Sequence, residues 1–175
     1  MKSQPAREPG PKMPRFRTDG PMRWFILPSE ESDPSKMERA LRERIKELNC
    51  LYGITRLAES GPDSLEEFLG RVANILPPSW QYPEITCARI TFDDAIYKTD
   101  NFKVTKWRQM APVMLFGEVI GEVEVFYLEE RPALYEGPFL REERTLLEAV
   151  AEHIGAVAMR LSAERKLQET NRQLT

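Results

Sequence analysis

A chain of 175 residues, 41% hydrophobic and 30% charged, is long enough for one domain around a single core and has neither a disordered nor a membrane composition. Its net charge of −3 gives no general footing for nucleic-acid binding, and no window approaches the roughly 20 apolar residues needed to span a bilayer. Two isolated cysteines, Cys50 and Cys87, fit a reducing cytoplasm better than a disulfide scaffold.

Residues 1–34 hold seven of the 14 prolines, and proline fixes φ and removes a backbone donor. With six basic side chains against Glu8 and Asp19 up to residue 28, this stretch reads as a disordered, basic tail without the apolar run of a signal peptide. Arg23, Trp24, Phe25, Ile26 and Leu27 interrupt it. They form either an arm folded back on the domain or a short partner-binding motif.

A domain is expected over 35–162. Asp33 or Ser35 can cap a helix running from Lys36 to Glu59, in which Leu41, Ile45, Leu48 and Tyr52 recur in steps of four, three and four. That is a heptad seam. A capping box, Ser64-Leu65-Glu66-Glu67, opens a second helix with Leu65, Phe68, Leu69, Val72, Ile75 and Leu76 on one face, ended by Pro77-Pro78.

The middle reads as antiparallel sheet. Strands are expected at Ile85 to Phe92 and Ala95 to Lys98, with Asp93-Asp94 turning between them. Trp107 to Phe116 and Val119 to Leu128 then flank a Gly117-Glu118 turn. A last helix is expected from Leu140 to Leu174, seamed by Leu147, Val150, Ile154, Val157 and Leu161. Its apolar line resumes at Leu167, Asn171 and Leu174, a phase slip, so 163–175 reads as a coiled-coil extension beyond the domain. The fold class is therefore α+β, an antiparallel sheet with N-terminal helices and a long C-terminal helix packed on one face.

Leu48-Asn49-Cys50-Leu51-Tyr52-Gly53-Ile54, the run Ile75 to Pro83 with Ile85 to Ile90, and Tyr127 to Pro132 with Gly137-Pro138-Phe139-Leu140 resemble GAF modules of bacterial and archaeal sensor histidine kinases. The resemblance covers about residues 40–170 and implies a signalling module joined by its last helix to a PAS or kinase domain. Only about ten residues separate Tyr97 from Trp107, little for the helices that roof a ligand pocket in such modules. The Asn-Lys-x-x-Phe-Asp-Glu pattern of the cyclic-nucleotide members is absent.

No catalytic, cofactor or metal site is expected. The one histidine, His153, follows Glu152 and precedes Ile154-Gly155-Ala156, the wrong order for a phosphoacceptor, and reads as a core or interface residue. No nucleotide-binding glycine loop or nucleophile elbow occurs. Asp93-Asp94 and Glu129-Glu130 are sequence neighbours that fit turns better than acid–base pairs. Trp80 and Tyr82 read as a hydrophobic plug, with an aromatic ligand clamp as the alternative.

The expectation is a non-catalytic, cytoplasmic relay module. The seam residues Leu41, Ile45, Leu48, Tyr52, Leu147, Val150, Ile154, Val157 and Leu161 would form a homodimer interface. A protein partner or fused output domain would receive the signal, with no nucleic acid or membrane contact. The alternatives are an adaptor whose tail docks a partner, and a small-molecule sensor.

Overall fold

The computed structural model describes residues 33–61 and 64–175. The tail residues Arg23, Trp24, Phe25, Ile26 and Leu27 lie outside them. Helix α1 spans Pro34–Glu59, α2 Leu65–Ile75 and α3 Arg141–Gln173. The strands are β1 Thr86–Phe92, β2 Ala95–Lys98, β3 Arg108–Leu115 and β4 Glu118–Tyr127.

The helix starts follow from local chemistry. The Asp33 carboxylate accepts from the Ser35 amide at 3.0 Å, with Pro34 in the first turn where its missing N–H costs nothing. Ser64 accepts from the Glu67 amide at 3.1 Å, the expected cap of α2. At α3 the cap is reversed. Leu140 has no polar side chain, so Glu143 reaches back and accepts the Leu140 amide at 2.8 Å.

All strand pairs are antiparallel, in the order β2-β1-β4-β3. The β1–β2 turn is Asp93-Asp94, both residues at positive φ. The β3–β4 turn is Phe116-Gly117, one residue earlier than expected, again with both residues at positive φ. Two-residue hairpins adopt this mirror-image turn because it matches the twist of the strands. β1 begins one residue later than expected because Pro83–Ile85 close a short 3-10 turn.

Ala88 and Ile90 of β1, Val123, Val125 and Tyr127 of β4, and Ala111 and Val113 of β3 are buried on one face of the sheet. Phe68, Leu69 and Val72 of α2 join the same core, as do Leu147, Val150 and Ile154 of α3. Trp80 is fully buried, and its indole N–H donates to Gln109 Oε1 at 3.2 Å. Tyr82 packs edge-on to Tyr127. Both act as the expected plug.

Residues 99–107 strap the opposite sheet face. The Asn101 amide donates to the Thr86 carbonyl, the Thr105 hydroxyl to the Tyr127 carbonyl, and the Phe102 ring meets Phe126 edge-on at 5.5 Å. Glu124 is fully buried under this strap side of the sheet, where Arg89 and Arg108 both pair with it.

Candidate functional site

α1 carries two apolar faces. Cys50, Ile54 and Ala58 are buried in the core. Leu41, Ile45, Leu48 and Tyr52, together with Met37, are each at least half exposed. At about 100° per residue these five fall within an arc of roughly 80°, centred about half a turn from Cys50 and Ile54. A core helix needs one apolar stripe; α1 has a second, facing solvent. Exposed pairs Glu38–Arg42 and Arg44–Glu47 run along its flanks, each adding only a few tenths of a kcal/mol to the helix.

The α3 seam is placed differently. Leu147, Val150 and Ile154 are fully buried and Val157 nearly so, while Leu161 is half-buried. They belong to the chain's own core, so the expectation that they form a dimer surface is corrected. The cause is close packing on β3: a Cβ on Gly155 would lie 2.5 Å from the Met114 carbonyl oxygen. Only glycine allows the helix so near the strand.

The apparent phase slip after Leu161 has the same origin, because the earlier residues follow the core line. One stripe over, Ala149, Ala156 and Ala163 repeat at seven residues, and so do His153, Arg160, Leu167 and Leu174. These two interleaved series form one continuous heptad line into the extension. Ala156 and Ala163 are exposed, as are Leu167 and Leu174. Sequence reasoning missed this line because three alanines do not stand out against leucines.

α1 and α3 run side by side in the same direction. Thr55 Oγ1 lies 3.1 Å from His153 Nε2, and the Arg160 guanidinium donates to the Ala58 carbonyl at 2.9 Å. His153 thus bridges two helices at the edge of a shallow groove of about 280 Å³ that Glu59, Ala156 and Arg160 also line. The Arg160 contact satisfies one of the carbonyls left free at the end of α1. Residues 33–42 are all exposed at one end of this pair, and 163–175 are all exposed at the other.

The remaining buried charges hold the fold together. Glu143 accepts from the Gln81 amide at 2.7 Å, the Tyr127 hydroxyl at 3.0 Å and the Leu140 amide, tying three segments to the start of α3. Burial nevertheless raises its carboxyl above the ordinary range, and the nearby Glu43 of α1 adds to the rise. Burial likewise raises the Tyr127 hydroxyl, helped by the charge of Glu143. Glu136 is held low by Arg144, whose guanidinium also donates to the Met110 carbonyl. Cys50 and Cys87 are buried free thiols, both raised by burial.

Among the described residues no group of three or more His, Cys, Asp or Glu side chains is placed to hold a metal ion. Among the same residues no helix is long and apolar enough to cross a membrane. No protein-family model matches the chain, and no curated protein is significantly similar to it.

Proposed function

We propose that the chain is a non-catalytic relay module that dimerises through the outward face of α1 and transmits a shift along its terminal helices. The observation that carries this reading is the second apolar stripe of α1, Leu41, Ile45, Leu48 and Tyr52, which the chain's own core leaves uncovered. An aligned apolar line of this length is the signature of a helix that packs on another helix.

The exposed α3 line supports the same arrangement. Its alanines let a neighbouring helix approach closely, and Leu167 and Leu174 continue the heptad line past the domain, beyond His153 and Arg160, which are turned to α1. Two copies of α1 and α3 would then make a four-helix bundle about a two-fold axis. The parallel course of α1 and α3 gives such a bundle a direction. The exposed start of α1 overhangs by about 13 Å at one end and the α3 extension by about 16 Å at the other, at 1.5 Å per residue. A rotation or slide imposed at one end is thus available at the other.

The order of helices and strands is compatible with the GAF resemblance, and the relay role follows that resemblance. Glu124, Glu136 and Glu143 are each engaged in contacts that hold the fold, which favours a non-catalytic role. Buried free cysteines are in keeping with a reducing cytoplasm. Sedimentation velocity tests the reading. The wild type should sediment as a dimer, and Leu48→Glu as a folded monomer with an unchanged circular dichroism spectrum. A wild type that is monomeric at every accessible concentration would overturn it.

A further inference from the structure

Away from the α1 face, the end of the sheet that carries both hairpin turns combines three features not explained by folding. The first is Phe116. It occupies the first central position of the β3–β4 turn at φ 51° with its side chain 75% exposed. An L-residue with a bulky side chain is disfavoured in this left-handed region, and Asn or Gly is the ordinary occupant. The exposed ring buries little that could offset the strain. Backbone strain kept without a folding benefit is a mark of function.

The second feature is the apolar company of that ring. Val119, two residues past the turn, is 65% exposed and stands opposite Met114, 46% exposed, across the hairpin. The Asp93 amide donates to the Ile120 carbonyl at 3.1 Å, which fixes the two turns side by side. The third is charge. Glu118 is exposed beside this turn, and Asp93 and Asp94 are exposed in the neighbouring one. Among the described residues, none of the ion pairs involves any of the three.

The geometry points to a docking site at this turn end for a cationic amphipathic segment of another protein, with Phe116 as its aromatic anchor. An exposed aromatic anchor with one unpaired acid beside it and two in the neighbouring turn fits a partner whose apolar side chains are flanked by Lys or Arg. It does not fit an acidic peptide or an anionic lipid surface, which the carboxylates repel. The site is separate from the α1 stripe and does not depend on dimerisation.

The test uses the full chain and two synthetic 14-residue amphipathic helices, one of Leu and Lys and one of Leu and Glu, followed by fluorescence anisotropy. The Leu/Lys helix should bind the wild type and the Leu/Glu helix should not. Phe116→Asn should weaken binding at least tenfold while raising the melting temperature by about 3 °C, because the strained residue is replaced by one suited to the turn. Substituting Asp93→Asn, Asp94→Asn and Glu118→Gln together should also weaken binding and flatten its salt dependence. Absence of binding to the wild type, or equal binding to Phe116→Asn, overturns the proposal. So does conversion of wild-type dimers to monomers by Phe116→Asn, which would mean that a second copy covers the ring. A wild type that is monomeric at every accessible concentration yet binds the Leu/Lys helix would break only the dimer reading.

Discussion

α1 and α3 carry apolar seams of the same period, yet the two have opposite fates. The seam of α3 from Leu147 to Val157 is buried against β3 and β4, whereas the seam of α1 from Leu41 to Tyr52 faces solvent. A three-four repeat states only that one side of a helix is apolar. It does not say whether a sheet of the same chain or a second chain will cover that side. The difference lies in what the rest of each helix offers. α1 buries Cys50, Ile54 and Ala58 on its opposite side, so its leucine line is left over; α3 has Gly155 to bring its leucine line onto the strand.

The largest effect should come from the buried seam. Ile154→Ala should lower the stability of the fold by about 3–4 kcal/mol, since it removes a fully buried branched side chain and leaves a cavity. Urea denaturation at low protein concentration, where association contributes least, measures this. Leu48→Ala on the exposed seam should change the same quantity by less than about 0.5 kcal/mol. Equal costs at the two sites would erase the distinction between the helices.

Gly155→Ala tests why α3 lies where it does. The added methyl meets the Met114 carbonyl at 2.5 Å, and that neighbour is backbone with little room to yield. A loss of about 2 kcal/mol is expected, visible as a lower urea midpoint. Gly53 is a matched control on α1, because a Cβ there would meet only Ile75 methyl carbons at ordinary contact distance, 3.6 and 3.8 Å. Gly53→Ala should be neutral or slightly stabilising, as alanine is the better helix former by about 1 kcal/mol.

Association should separate the seams in the reverse sense. Replacing Ile45→Ala and Leu48→Ala together should weaken the proposed dimer at least tenfold by sedimentation equilibrium. Leu167→Ala alone should weaken it less, since Leu167 lies on the extension, outside the α1 stripe. If Leu167→Ala were the stronger variant, the extension rather than α1 would hold the copies together.

Much of the fold was legible along the chain. The bounds of β2, the Ser64 cap and the buried face of α2 follow from turn residues and periodicity that act over a few residues. What depended on distant contacts was not. Glu143 stands three residues after Leu140, the spacing of a capping box, but a leucine at the cap position hides the signal. Glu124 alternates with Val123 and Val125 in a way that places it on the far sheet face. The β1–β4 register, which sets Arg89 opposite it, and Arg108 reaching over from β3 explain its full burial. Phe116 was hidden for another reason. The glycine beside it marks a turn, and no local rule puts phenylalanine at a positive φ.

The smallest effect is electrostatic, and it reports on where α1 meets α3. Glu143 at the start of α3 has its carboxyl raised by burial, with Glu43 of α1 adding to the rise. Folding therefore favours its protonated form. The stability it contributes is complete below the ordinary carboxylate range and is lost as pH rises through the raised value. Glu136 has the opposite sign, since Arg144 lowers it. Its contribution is present above the ordinary range and is lost as pH falls through the lowered value. Urea midpoints between pH 3 and 8 should thus respond to Glu143 on the upper side and Glu136 on the lower. Glu43→Gln removes a like charge from beside Glu143 without touching its hydrogen bonds, so the upper transition should move to lower pH while the lower one stays in place. An upper transition that ignored Glu43→Gln would mean that the Glu43 carboxylate adds nothing to the rise, leaving burial alone to hold the Glu143 carboxyl up and the Thr55–His153 and Arg160–Ala58 contacts to carry the pairing of α1 with α3.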